Sequence, residues 1–389
     1  MKCIYFILLL VISTGCNRKS SSYFDEKGIP VIDIEKVISG TKQEYLLSEI
    51  ALDIEYIPLE FTPECPLKIG LEWDVEVSSS DIFVLSGKVY RFDRNGKYLN
   101  SIGSHGRGPG EYVLALGFAV DTVAGRIYLH SHERQIHVYD YSGKHIRSIR
   151  TNNSTVFNRF YFLNHTNELF CLGVEQYALH YPDNYVIKSA DTLGNIRFAK
   201  NSLIVGMLIE GEEQSYNSSI MQDGNTMLAI DGLSDTLFCY RQSALTPYLI
   251  FNYGRYKNTV EKMRSYHKEN SKTSFVTRIL GSTPDYLFIF LTQLTKEPKQ
   301  YLLRYDKSSG ECSYGTFVNN LDGGFNTIGG PKNQWISARD AFDMIEKFTP
   351  EYLSAAKAAN PQAKQRLQQL VKNLKPEDNP VLMRVILKP

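Results

Sequence analysis

Short apolar runs alternating with polar positions recur along most of the chain and predict β-strands in groups of four. The clearest copies are VYRFDRNGKYLNSI (89–102) and IHVYDYSGKHIRSI (136–149). Set one above the other, they share Asp, Gly, Lys, Ser and Ile at matching places and keep nearly every apolar position. A period of two sends alternate side chains to opposite faces of a sheet. Upstream of each copy lies a further strand, DIFVL (81–85) and RIYLH (126–130), and before those DVEV (74–77) and GFAV (117–120). Each unit therefore reads as four strands joined by turns. The last turn is Asp-x-x-Gly, from Asp93 to Gly96 and from Asp140 to Gly143. Asp starts such a turn through its side chain, and Gly takes positive φ without steric cost.

Weaker copies follow. YVIKSADTLGNIRFA keeps Asp191 and Gly194, TLFCYRQSALTPYLIF keeps the strands but loses the turn, and YLLRYDKSSGECSYGTF keeps Asp306 and Gly310. With a degenerate unit around GFNTIGGPKNQWIS, six units stand at a spacing of roughly 40–65 residues, the signature of a propeller. The expected fold is all-β: a six-bladed β-propeller with four-stranded blades. One blade cannot bury both of its faces, whereas a closed ring lets each cover its neighbours. The strand near Ile54 to Glu60 is expected to join the last stretch, NPVLMRVILKP, and close the ring. Two insertions interrupt the strands. Residues 255–272 are charged and helix-permissive. A helical insertion at about 339–374 divides at Pro350 and ends before Pro376.

The N-terminus reads differently. Met1-Lys2 precedes an apolar run, Ile4 to Ile12, too short to span a bilayer comfortably, and STGC (13–16) follows. Small residues leading to a cysteine there resemble the lipobox of bacterial lipoproteins. Residues 1–15 then form a lipoprotein signal peptide, Cys16 is the lipidation site, 16–40 a polar tether and 41–389 the propeller. The expected location is the cell envelope, as an outer-membrane lipoprotein held to the membrane by its lipid anchor.

Between the first two clear units runs SIGSHGRGPGEY (101–112), where the chain must cross from the rim of the ring to its axis. Gly106, Gly108 and Gly110 permit close backbone approach, with positive φ considered at Gly108, and Pro109 fixes one φ. Glu111 is placed to accept backbone N–H groups and Tyr112 to cover the seam between blades. A phosphate-binding P-loop would end in Gly-Lys-Ser/Thr and open a helix, and this loop does neither. It reads as a structural corner, with His105, Arg107 and Glu111 as candidate ligand contacts.

The run FDRNGKYLNSIGSHGRGPGEY, followed by GFAVD and RIYL, looks like the NHL repeat. Together with YLLSEIALDIEYIPLE (45–60), SDTLFCY (234–240) and NPVLMRVILK (379–388), it resembles the six-bladed β-propeller lipoproteins abundant in Bacteroidota. The resemblance implies a propeller on the cell envelope and no particular activity.

Composition narrows the function further. The formal charge is +1, so no basic excess points to nucleic acid. Aromatic residues make up 12%, as suits strand-rich structure. Cys65, Cys171, Cys239 and Cys312 are too widely spaced for a disulfide framework or a metal knuckle and read as buried thiols. There is no G-x-S-x-G, H-E-x-x-H, EF-hand or Walker loop. His130, His132 and His137 sit close in sequence, but spacing fixes no third ligand, so neither a metal nor a cofactor is expected. Asp121 reads as a turn residue. The expectation is a non-catalytic protein that binds, or acts as a scaffold for, a peptide, protein or glycan. The alternative is a lyase or hydrolase whose residues converge on the central channel. A third reading is a structural subunit docking through the 339–374 helices.

Overall fold

The computed structural model describes residues 21–70, 73–132, 135–150, 157–173, 185–201, 219–230, 234–257, 274–295 and 297–389. Cys16, the 1–15 signal segment and most of the 255–272 insertion lie outside the described residues.

Six sheets stand around one axis as a β-propeller. Blades 1 to 5 have four strands each, spanning 74–102, 115–150, 157–201, 219–252 and 274–318, and within each the strands pair in chain order. Blade 6 is assembled from both halves of the chain: Ile336–Arg339 pairs with Val381–Leu387, which pairs with Ala51–Pro58. In that last pairing Ile54 lies opposite Val385 and Ile57 opposite Leu382. The ring is thus closed by strands from opposite ends of the chain.

The cores lie between blades. Leu228, Leu237, Leu287, Ile289 and Leu303 fill the seam of blades 4 and 5. Phe160, Phe162 and Tyr128 fill that of blades 2 and 3, where the Tyr128 and Phe162 rings stack 5.3 Å apart. Side chains as buried as Leu287 or Leu303, both 0% exposed, contribute about 1.5–3 kcal/mol each. The alternation seen in the sequence has this origin: both faces of a blade are inward faces, each toward a different neighbour.

The stretch read as a tether is built into the fold from Ser21 on. Pro30–Asp33 runs parallel to Ala244–Asn252 and lengthens blade 4, and Gln43–Leu46 does the same for blade 5. Val31, Ile32, Ile34 and Val37 are buried. Within this stretch Val31 to Ile38 reads as strand-like; Pro30–Asp33 is a strand and Ile34–Ser39 a short helix, and their buried side chains cover the open edges of two sheets.

The C-terminal insertion forms three helices, Ala341–Lys347, Pro350–Ala355 and Pro361–Asn373. Pro350 starts the second helix, with Thr349 accepting the Tyr352 N–H at 3.2 Å. Asn360-Pro361 makes a second such start, capping Ala363 N at 3.0 Å. The apolar spacing after Pro350 continues across that break and by itself predicts one helix; Pro at the first helical position marks the new start. The third helix packs on Ala51–Pro58, where Arg366 hydrogen-bonds Asp53 and the Ile54 carbonyl.

Candidate functional site

The Asp-x-x-Gly turns seat each blade on the one before it. Asp93 Oδ1 accepts from Asn95 N and Lys97 N at 2.8 and 2.9 Å. Asp140 does the same for Ser142 N and Lys144 N at 2.9 and 3.1 Å. Gly96 and Gly143 have φ of +84° and +85°. A Cβ on Gly143 would lie 2.5 Å from the Ser101 carbonyl of blade 1, and one on Gly96 would overlap the Pro58 carbonyl of blade 6. The turns are structural.

The 101–112 loop folds on itself. Ser104–His105 pairs in parallel with Glu111–Tyr112. Glu111 Oε2 accepts from Gly108 N at 2.8 Å, Tyr112 Oη donates to the Ile102 carbonyl at 2.8 Å, and Tyr139 Oη donates to the Gly110 carbonyl at 2.9 Å. A Cβ on Gly106 would overlap the Glu111 carboxylate. Positive φ falls at Gly103 and Gly110 and not at Gly108. Pro109, His105 and Arg107 are exposed, and Glu111 is turned inward on its own loop.

The histidines separate. His130 is buried with its ring near Phe160, whereas His132 is exposed. His137 Nδ1 and His145 Nε2 both reach Ser148 Oγ at 2.9 Å. No group of three or more His, Cys, Asp or Glu among the described residues could hold a metal ion. Among the described residues Cys65, Cys171, Cys239 and Cys312 are free thiols, and burial pushes that of Cys65 up to about 12.

Two clusters escaped the sequence reading. The first lies at the axis, on the loop that leads into blade 6. A double glycine lets this loop drop onto the inner strand of blade 5, where a Cβ on Gly281 would sit 2.7 Å from Gly329 Cα. Lys332, Asn333 and Trp335 then take φ of 54°, 56° and 52°, a left-handed conformation non-glycine residues rarely adopt. Each of the four side chains from 332 to 335 grips another blade. Lys332, its side chain 6% exposed, pairs with Glu76, lies 3.8 Å from Asp74, donates to the Phe118 carbonyl at 2.7 Å and sits 4.2 Å over the Phe118 ring. Gln334 brackets Val77. Asn333 accepts from Ser282 N at 2.8 Å and Trp335 donates to the Ser282 carbonyl at 3.1 Å. Burial raises the Glu76 carboxyl above its usual range, against the pull of Lys332.

The second cluster is Ser282, Lys307 and Asp223, spanning blades 4 and 5. Lys307 Nζ donates to Ser282 Oγ at 2.7 Å, Asp223 Oδ2 at 3.1 Å and the Thr283 carbonyl at 2.8 Å. Ser282 Oγ passes its proton toward Asp223 Oδ1 at 2.9 Å. An ammonium held by three acceptors is a donor, so it cannot take a proton from the serine.

Between blades 5 and 6 lies a cleft of about 820 Å³. Strand alternation decides what faces it. Phe288 and Leu302 belong to the blade 5–6 core, so Phe290, two residues beyond Phe288, faces the same way and is half-buried. On the other wall Ile336 and Ala338 pack toward blade 1, which turns Ser337 and Arg339 toward blade 5. Thr327 Oγ1 lies 3.1 Å from Ser337 Oγ. Lys42, Lys299 and Arg339 are the charged residues that line the cleft. Burial lowers the Arg339 pKa, opposed by Asp343.

Comparison with known proteins agrees with this architecture. Residues 29–385 match the family described as Domain of unknown function (DUF4934). The chain belongs to that family. The matched segment begins beside Pro30–Asp33, the strand paired with blade 4, and ends in the closing strand of blade 6. Among solved structures, the DUF4934 chain is similar to a Bacteroides fragilis protein described as exported, with a TM-score of 0.63 and 15% identity. The match covers 90% of this chain and 100% of that one, and at this identity it concerns the fold. No curated protein matches the chain.

Proposed function

We propose that this DUF4934 propeller is a lipid-anchored cell-envelope protein that binds a peptide, protein or glycan, with the ligand seated in the cleft between blades 5 and 6. One observation carries the reading: the cleft combines a hydrocarbon floor with Lys42, Lys299 and Arg339 and no carboxylate in its lining. A concave, mostly apolar pocket with a few convergent polar groups is the usual form of a binding site. The enzyme alternative draws on the axial cluster, but the Lys332 amine there is engaged by Glu76 and the Phe118 carbonyl. The similarity to an exported protein supports export, and the STGC sequence supports acylation of Cys16.

Thermal-shift screening of the full-length protein in detergent against envelope peptides and glycans tests the binding reading. A ligand that stabilises the wild type and not Ser337→Trp, in which an indole fills the cleft, is the expected result; stabilisation of both places the site elsewhere. Separately, Cys16→Ala is expected to release the protein from membranes, and continued fractionation with lipid refutes the anchor.

A further inference from the structure

We infer that the cleft between blades 5 and 6 receives a peptide in which a large apolar side chain stands beside a carboxylate. The inference rests on the ligand-binding reading above and names which of the three ligand classes fits.

The floor selects for an apolar group. Leu280, Phe290, Leu302 and Ile328 meet there. Leu302 is 9% exposed and Phe290 is half-buried, so a phenyl face borders the cleft. A second apolar side chain laid against these completes the burial, in the way a core position does. Four apolar side chains meeting at one place favour an apolar group over the hydroxyl-covered face of a sugar, and Gln300, Asn326, Thr327 and Ser337 stand beside them to meet a peptide's backbone amides. The cleft's volume of about 820 Å³ suits a few side chains and not a folded domain.

The rim selects for an anion. Lys42 and Lys299 are exposed at the cleft, and Arg339 is half-buried in it. Arg339 Nη1 donates to the Ala338 carbonyl at 2.8 Å, and its guanidinium lies 5.0 Å from the Phe325 ring centroid. The rest of its planar fork is suited to a carboxylate, which it can grip with two parallel hydrogen bonds. The blade 5 wall is a sheet face whose backbone groups are paired in the ladder, whereas on the blade 6 wall Ile336–Arg339 pairs on one side only, with Val381–Leu387. Recognition by the blade 5 wall therefore runs through side chains.

The test measures fluorescence anisotropy of labelled pentapeptides with the full-length protein in detergent. The sequences end in Phe-Glu, in Phe-Gln-amide or in Ala-Glu. The Phe-Glu peptide is expected to bind at least tenfold more tightly than the other two. Lys42→Glu/Lys299→Glu changes two exposed residues and is expected to weaken it about tenfold with an unchanged melting temperature, and Ser337→Trp to abolish binding. Equal affinity for Phe-Glu and Phe-Gln-amide, or binding that survives Ser337→Trp, overturns the inference. An oligogalacturonate that binds in place of the peptides and is lost in Ser337→Trp overturns the peptide assignment and leaves the cleft as a binding site. If neither probe class binds, and the envelope screen is also silent, the binding reading fails with it.

Discussion

Gln334 brackets Val77 as a neighbouring strand would: its Oε1 accepts the Val77 N–H at 2.7 Å and its Nε2 donates to the Val77 carbonyl at 2.9 Å. One side-chain amide from the loop before blade 6 thus satisfies backbone groups on the inner strand of blade 1. Lys332, two residues earlier, reaches Glu76 on that same strand and the Phe118 carbonyl of blade 2. Asn333 and Trp335 hold Ser282 of blade 5. The ring is therefore tied twice, at its rim by Ala51–Pro58 against Val381–Leu387 and at its axis by this loop. Left-handed backbone at three non-glycine residues costs on the order of 1–3 kcal/mol each, and these contacts offset it.

Lys332→Met is expected to destabilise the protein by about 3–5 kcal/mol, because it leaves Glu76 as a buried carboxylate without its cation. Adding Glu76→Gln removes that charge and is expected to restore much of the loss. Urea denaturation of the two variants and the wild type decides the matter. A single variant as stable as wild type, or a double variant no better than the single, would show that the axial ion pair carries no stability.

Gly143 and Gly125 separate backbone strain from steric contact. Both have positive φ, +85° and +64°. Nothing lies within 4 Å of a Cβ built on Gly125, whereas one on Gly143 meets the Ser101 carbonyl at 2.5 Å. Gly125→Ala should cost about 1 kcal/mol from conformation alone, and Gly143→Ala clearly more, because the turn must lift off blade 1. Equal melting temperatures would mean that the turn is not the seat of one blade on the next.

This contrast also marks how far the sequence could be read. Asp93, Gly96, Asp140 and Gly143 were legible because local turn chemistry repeats, and the strands because both blade faces are buried. The glycine corner was legible in kind but not in detail: positive φ at Gly103 and Gly110, and not at Gly108, depends on where Tyr139 and His145 pack. Val31 to Val37 was legible as strand-like, but its covering role was not, because no local pattern names the distant strand, Ala244–Asn252, on which it lies. Lys332, Glu76 and Phe118 are brought together by ring closure from three distant stretches, and no local pattern announces that. The cleft is an interval between two sheets and has no sequence signature; only the double glycine at 329–330 hinted at an unusual loop.

The pH dependence of stability has a definite sign. The Ser142 hydroxyl holds Asp140 below the usual carboxylate range, the Asn195 amide does so for Asp191, and the Ser308 hydroxyl for Asp306. A depressed folded pKa adds stability at pH values above the unfolded value, about 3.9, and that stability is lost as pH falls through the lower folded value. Unfolding midpoints should change little on this account between about pH 7 and pH 5 and drop below about pH 4. An Asp140→Asn/Asp191→Asn/Asp306→Asn variant should show a shallower acid limb. Glu76, raised by burial, acts in the opposite direction, and it is the same in both proteins compared. Superimposable acid limbs would remove the turns from the pH response.

Ser282 and Lys307 stand 2.7 Å apart, a distance at which a lysine can activate a serine. The direction of the protons argues against it. Lys307 also donates to Asp223 and to the Thr283 carbonyl, and Ser282 donates to Asp223 while its side chain lies in a residue 2% exposed. The trio pins the turn of blade 5 to that of blade 4. A fluorophosphonate probe is therefore expected to leave Ser282 unlabelled. Ser282→Ala should lower stability by about 1–3 kcal/mol through the hydrogen bonds it removes. Mass spectrometry of the probe-treated wild type checks the first point: an adduct on Ser282 that disappears in Lys307→Met would make this pair a catalytic dyad and reopen the enzyme reading.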